Sequence, residues 1–231
     1  MQESPSIWGK IDNSRTLLSF FLIFSIICYI IFNISINFTW ITTKFMASKE
    51  TPWGVFTSLF IHRNLNDLLL NILSLGSFFL IYTFSNIHLL SKERSKRASF
   101  FLVSIIFSAL LSNFIWILII DIGTIGASGL IYSSEGAVTG FCLLNSWYIY
   151  DEIKTKNNKE NRGSLIINFL IFSAIIAWIV FYTNSFLSYN RDVNVLIHGS
   201  SFVVAFILAI ESSNLNNLFD KAKWNNQSLN W

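Results

Sequence analysis

Six long apolar runs constrain what this chain can fold into. A helix crosses the hydrocarbon core of a bilayer with about 20 mostly apolar residues, and 53% of the 231 residues here are hydrophobic while only 13% are charged. Because lipid offers no hydrogen-bond partners, runs of this length satisfy their backbone as helices. We predict an all-α polytopic membrane protein, a bundle of six transmembrane helices with spans over residues 17–38, 65–84, 98–120, 128–150, 164–182 and 193–210.

Lysine and arginine are distributed unevenly between the predicted loops. Most of the 16 lie in the two tails and in the loops after the second and fourth spans, on one side of the bundle. The positive-inside rule then places both termini in the cytoplasm. The predicted organisation is a cytoplasmic N-terminal tail (1–16), a membrane domain (17–211) and a cytoplasmic C-terminal tail (212–231), in the cell membrane.

The second, fourth and sixth spans carry polar side chains, so they should face one another rather than lipid. All three run from outside to inside in the predicted orientation. Asn71, Ser128 and His198 then lie within about 10 Å of the same depth, just below the outer surface. Each residue alone has an ordinary structural explanation, such as a helix cap for Ser128 or an interhelical hydrogen bond for His198, but the three together indicate a site.

Nucleophilic catalysis is the chemistry that these side chains suit. Histidine, with an ordinary pKa of about 6.5, can take the proton of a serine hydroxyl. The Ser128 backbone N–H at a helix start, and the Asn71 amide, can stabilise the oxyanion that follows. No carboxylate is placed to orient His198, so we predict a Ser128–His198 dyad. The surrounding sequence, Gly-Ala-Ser-Gly, is not the nucleophile elbow of the α/β-hydrolases.

Three stretches resemble motifs of the rhomboid intramembrane serine proteases: GASGLIY (126–132), FIHRNLNDLLLNILSL (60–75) and LIHGSSFVVAFILA (196–209). The resemblance implies a six-helix rhomboid-like bundle that hydrolyses peptide bonds in or near transmembrane segments of membrane proteins. It implies that Ser128 is the nucleophile, His198 the general base and Asn71 an oxyanion donor. The implied partners are transmembrane protein substrates and the lipid bilayer, without a cofactor.

The resemblance also implies supporting roles. Tyr132 matches the tyrosine that stacks on the catalytic histidine. Gly126 and Gly129 match glycines that let the helix start lie close to the substrate backbone. For His62, just before the second span, interfacial packing and a hydrogen bond on the substrate side remain alternatives.

Two positions depart from the family pattern. Asp67 stands where the family has a histidine, and an ionised carboxylate there would repel a developing oxyanion. Asp67 must be protonated, turned away, or bound to the backbone amides that begin the second span. If it is an electrostatic burden, Asp67→His should raise turnover. Ser201 replaces a usual glycine, and its small size keeps close packing plausible.

Other functions fit the residues less well. A rhomboid-like pseudoprotease that binds or escorts membrane proteins is the alternative; Asp67 favours it, and the presence of Ser128 and His198 argues against it. A transporter would show a repeat of spans, and we find none. Three scattered histidines without ligand spacing predict no metal site, and basic loops that follow the positive-inside rule predict no nucleic-acid binding.

Glu135 is interpreted as a buried hydrogen-bonding group or, alternatively, part of a proton pathway.

Overall fold

The protein is a helical bundle. The structure, a computed structural model, describes residues 15–87, 89, 91–120, 123–156, 162–181 and 195–227. Most of the predicted N-terminal tail and the end residues 182, 193 and 194 of the fifth and sixth spans lie outside these ranges. The helices are α1 (Arg15–Asn37), α2 (Trp40–Phe45), α3 (Gly54–Thr57), α4 (Leu65–Ser85), α5 (Ser91–Ile119), α6 (Ser128–Lys156), α7 (Arg162–Phe181) and α8 (Val195–Gln227).

Four helices of the described chain are long and apolar enough to cross a membrane: α1, α4, α5 from Glu93 onward, and α7. In α8 the apolar part is shorter, Leu196–Ser212. Helix α6 has 29 residues but is more polar, and residues 133–142 are all buried. Those residues contact protein rather than lipid, so they need not be apolar. The all-α polytopic fold is confirmed, while the count of six spans stays a prediction.

Helix α6 forms the centre of the bundle and packs against α4, α5, α7 and α8. Its Phe141 lies in an aromatic core with Tyr82 of α4 and Phe101 of α5, whose ring centroids are 4.2 Å apart. By contrast, α7 buries only Asn168 and Ile175. Helices α1 and α7 therefore present most of their apolar surface outward, as expected of helices that face lipid.

Three helix ends differ from the prediction by six residues or more. Helix α6 ends at Lys156 rather than at residue 150. Helix α5 begins at Ser91, seven residues before the predicted span, so Arg97 belongs to a helix rather than a loop and donates to Asn145 Oδ1 of α6 at 2.7 Å. Helix α8 continues to Gln227, through most of the predicted C-terminal tail. No proline or glycine interrupts residues 200–227, so nothing in the local sequence stops this helix.

A buried polar cluster, which we call the asparagine cluster (Ser85, Asn86, Arg97, Asn145 and Asn168), joins four helices at one end of the bundle. Ser85 Oγ donates to Asn168 Oδ1 at 2.7 Å, and Asn145 Nδ2 donates to the Ser85 carbonyl at 3.2 Å. Asn168 Nδ2 donates to the same carbonyl, also at 3.2 Å. Since these groups satisfy one another's hydrogen bonds, the cluster connects α4, α5, α6 and α7 through paired polar side chains.

Candidate active site

The chain enters α6 through a loop that is fixed to the segment before α4. Thr124 pairs with Ala47 through two backbone hydrogen bonds of 2.9 Å. Gly126 has a φ of +114°, a conformation that side chains disfavour, and its N–H donates to the Ser58 carbonyl at 3.0 Å. These contacts determine where α6 begins.

Ser128 is the first residue of α6. The preceding carbonyl, that of Ala127, accepts hydrogen bonds from the N–H groups of Leu130 at 2.9 Å and Ile131 at 3.1 Å. The N–H of Ser128 belongs to the first helical turn, which has no intrahelical acceptors and lies at the positive end of the helix dipole. This geometry suits the stabilisation of an anion beside the serine hydroxyl.

His198 lies in the first turn of α8 and stacks on Tyr132. The two ring centroids are 4.0 Å apart, with 25° between the ring planes. His198 is buried, and its Nδ1 has no hydrogen-bond partner among the described residues. Because Tyr132 is one turn after Ser128 on α6, the stack holds the imidazole beside the turn that begins with Ser128.

Glycines bring α6 and α8 close together along this contact. A Cβ at Gly129 would lie 3.2 Å from Ile197 Cγ2 and 3.4 Å from Ser201 Oγ, and one at Gly136 would overlap the Phe202 carbonyl. Gly129 therefore has a packing role between helices. Ser201 fits in the contact because it is small, and its Oγ has no hydrogen-bond partner within the described part of the chain.

Asp67 is bound on three sides at the start of α4. Asn64 is the N-cap, and its Oδ1 accepts from the Asp67 N–H at 2.9 Å. Asp67 Oδ2 accepts from the N–H of Arg63, the residue before the N-cap, at 3.2 Å. Asp67 Oδ1 accepts from Asn71 Nδ2 at 3.0 Å. Of the three alternatives for Asp67, the carboxylate is not turned away from Asn71, and its backbone partner lies just before α4 rather than in its first turn.

The contact with Asp67 also orients the Asn71 side chain. A carboxylate only accepts hydrogen bonds, so the atom that faces it must be the amide nitrogen of Asn71. That nitrogen carries two hydrogens and uses one of them here. Asn71 is buried on α4, which packs against α6, and its second N–H remains available as a donor.

His62 is buried at the entry to α4, and neither ring nitrogen makes a hydrogen bond of good geometry to a described residue. Burial lowers the pKa of His62 below its ordinary value, and the Asp67 carboxylate and the Phe60 carbonyl partly oppose this decrease. His62 therefore favours its neutral form. This environment fits the packing interpretation more closely than a hydrogen bond already in place.

Glu135 is buried two turns below Ser128. Its backbone carbonyl accepts from Thr139 Oγ1 at 2.7 Å, and both interpretations of its carboxyl group, a buried hydrogen-bonding group and part of a proton pathway, stay predictions. Within the described ranges, no group of three His, Cys, Asp or Glu side chains converges to hold a metal ion.

Sequence reasoning missed the residues that anchor residues 39–64 to the bundle; we call these residues the outer segment because they are predicted to lie outside. Asn113 of α5 donates from Nδ2 to the Val55 carbonyl at 3.0 Å and to Ser58 Oγ at 3.2 Å. Ser58 in turn accepts from Gly126. The one available signal was an asparagine inside the strongly apolar third span, since a polar group there requires a partner.

The apolar helices and the central polar α6 define the class of this protein: a multi-pass helical membrane protein. A family model described as the rhomboid domain matches residues 49–213. That range is more than half of the chain and includes Asn71, Ser128 and His198, so the chain belongs to the rhomboid family. No curated protein matches the chain.

Proposed function

We propose that this rhomboid-family protein is an intramembrane serine protease that hydrolyses peptide bonds in or near transmembrane segments of membrane proteins. Ser128 is the nucleophile and His198 the general base. The observation that carries the proposal is the stack of His198 on Tyr132, one turn after a serine at a helix start. A buried imidazole that has no partner on Nδ1 among the described residues, and that stacks one turn after a serine, suits the role of proton acceptor.

In the first half of the reaction the Ser128 Oγ attacks the carbonyl carbon of the scissile bond while His198 takes its proton. The tetrahedral intermediate carries a negative oxygen. When the carbon–nitrogen bond breaks, His198 gives the proton to the leaving amine. An acyl group then remains on Ser128 as an ester.

In the second half a water molecule attacks the ester carbonyl and His198 takes a proton from that water. The second tetrahedral intermediate collapses, the bond to Ser128 Oγ breaks, and the proton returns to the serine. In both halves His198 acts first as a general base and then as a general acid.

Two donors stabilise the negative oxygen in this scheme. One is the Ser128 N–H, where the first-turn amides and the helix dipole favour an anion. The other is the second N–H of Asn71, held in direction by the bond to Asp67. Loss of one such donor typically costs about 10²–10³ in rate.

The proposed location is the cell membrane, with both termini cytoplasmic and the site near the outer surface. This follows from the basic residues concentrated on one side of the predicted spans. The substrates are membrane proteins whose transmembrane segment reaches this depth.

The test compares wild type with Ser128→Ala, His198→Ala and Asn71→Ala on one transmembrane substrate in detergent, with a fluorophosphonate probe as an independent readout. We expect probe labelling and cleavage in wild type and neither in Ser128→Ala. Asn71→Ala should cleave about 10²-fold more slowly. Wild-type cleavage rates in Ser128→Ala would refute the assignment.

The second candidate is a pseudoprotease that binds or escorts membrane proteins. The observation that favours it is the carboxylate of Asp67 on the amide that the proposed mechanism uses. A folded wild-type protein that captures transmembrane segments but neither reacts with the probe nor cleaves would establish this candidate instead.

A further inference from the structure

A groove runs between α6 and α7 on the exposed side of this helical hairpin, away from Ser128. It has a volume of about 500 Å³. Its walls are Leu143, Trp147 and Tyr150 of α6 and Ile166, Phe169 and Leu170 of α7. All six side chains are exposed, Trp147 by 71% of its surface, so the groove is open to whatever surrounds the protein.

Two basic residues stand at the end of this groove nearest the α6–α7 connection. Lys154 lies one turn beyond Tyr150 on α6, and Arg162 lies one turn before Ile166 on α7. Residues four apart share a helix face, so both cations continue the faces that line the groove. Both are exposed. Asp151, one turn beyond Trp147, continues the same α6 face and is also exposed, so the three charges sum to +1.

The shape and chemistry of the groove select a chain-like ligand. A helix is about 10–12 Å across with its side chains, too wide to enter between two helices that pack against each other. An acyl chain is thin and apolar along its whole length. Positive residues at the mouth of a site between transmembrane helices are suited to anionic lipid headgroups.

From these observations we propose that the α6–α7 groove binds an anionic phospholipid. One acyl chain lies between Trp147 and Phe169, and Lys154 and Arg162 bind the phosphate of the headgroup. This site is separate from the proposed protease site and does not depend on it.

The test uses Trp147 as a reporter. Wild type and Trp147→Phe are reconstituted in phosphatidylcholine vesicles that contain increasing fractions of phosphatidylcholine or phosphatidylglycerol with brominated chains. The difference in fluorescence between the two proteins isolates Trp147 from the other tryptophans. We expect brominated phosphatidylglycerol to quench Trp147 at a fraction about ten-fold lower than brominated phosphatidylcholine does. Lys154→Gln and Arg162→Gln should each reduce this preference by about three-fold, so that the two losses together account for it.

The matched control is Lys44→Gln with Arg63→Gln, two exposed basic residues outside the groove, which should leave the preference unchanged. Equal quenching by the two lipids in wild type would overturn the proposal, as would a preference that survives loss of both Lys154 and Arg162. Absence of quenching in the folded protein would mean that another chain covers the groove. Competition by dissolved inorganic phosphate would indicate an ion site rather than a lipid site.

Discussion

At the scale of single residues, Asp67 joins two tasks in one carboxylate. One oxygen accepts a hydrogen bond from the Arg63 N–H just before α4, and the other accepts one from the Asn71 amide. The sequence alone suggested an electrostatic burden on an oxyanion. The structure gives the carboxylate two donors, and such contacts disperse its charge and determine the direction of Asn71.

We expect Asp67→Ala to lower stability by about 1 kcal/mol, because the Arg63 N–H and the Asn71 amide lose their acceptor. It should also lower turnover by about ten-fold or more, because a misdirected Asn71 is a weakened oxyanion donor. Asp67→Asn keeps an acceptor oxygen and should be milder. The structure reverses the expectation for Asp67→His, which should now be slower than wild type because imidazole cannot accept both bonds.

The measurement is cleavage of one transmembrane substrate by these variants, with melting temperatures recorded in the same detergent. Glu50→Ala is the control, since this carboxylate is exposed in the outer segment. Faster cleavage by Asp67→His would restore the electrostatic interpretation and remove the positioning role.

His62 provides a prediction about pH. Because burial lowers the pKa of His62 in the folded protein, the unfolded chain binds this proton more tightly. Stability from this residue therefore decreases as the pH falls through about 6.5. We expect the melting temperature of wild type to drop between about pH 7.5 and about pH 5.5, and His62→Gln to remove part of that drop. Identical pH profiles of the two proteins would contradict the buried neutral state.

At the scale of helices, the α6–α8 contact places the first turn of α8, which carries His198, against the start of α6, which carries Ser128. Gly129, Gly136 and Gly140 all face α8, and the approach at Gly136 places the Phe202 backbone where a side chain would otherwise be. Small residues allow such approaches in membranes, where packing rather than hydrophobic transfer drives helix association. The catalytic geometry proposed here thus depends on residues without functional groups.

Gly136→Ala should destabilise the protein by about 1–3 kcal/mol, the usual cost of overpacking, and should reduce probe labelling of Ser128 because α8 must move. Gly163→Ala is the matched control, since no atom lies within 4 Å of a Cβ placed there. The control should be neutral or slightly stabilising. Equal melting temperatures for the two variants would show that α6 and α8 are not in close contact at Gly136.

A second prediction at this scale concerns the asparagine cluster. Asn145→Ala should cost about 1–3 kcal/mol because Arg97 and Ser85 lose a buried partner. Asn168→Ala removes bonds to the same Ser85 carbonyl, so the double variant should lose less than the two single losses combined. Unfolding in increasing denaturant measures this. Asn33→Ala, whose bond stays within exposed α1, serves as the control, and full additivity would argue against a shared network.

At the scale of the whole molecule, the open question is which side of the membrane each end of the bundle faces. Single cysteines at exposed positions answer it, in a protein whose buried Cys28 and Cys142 are replaced by serine or alanine. In intact cells, we expect an impermeant maleimide to label Lys49→Cys in the outer segment and not Lys154→Cys after the fourth span. The reverse pattern would place the proposed site on the cytoplasmic side.

Most of the helices and the family of this protein could be predicted from the sequence, because the signals are local. The bilayer also allows few structures, since it offers the backbone no hydrogen-bond partners. The apolar runs predicted the helices to within a few residues at most ends, and the motifs around Asn71, Ser128 and His198 predicted the family that the comparison confirms. The assignment of Ser128 and His198 as catalytic stays a prediction until variants are measured. The predicted helix ends were wrong where no residue signals a stop, as at the C-terminal end of α8.

The tertiary structure alone decided how polar side chains pair. The sequence predicted that Asn71 and Asp67 share a helix face, but not that Asp67 would bind both Arg63 and Asn71. An asparagine at position 113 indicated that a polar partner was needed there, but not that the partner is Ser58, and nothing in the sequence indicated that Asn145 and Asn168 meet at Ser85. Hydropathy is a property of each residue and its neighbours in the chain, whereas a hydrogen bond between helices depends on positions that are far apart in sequence and are set by packing.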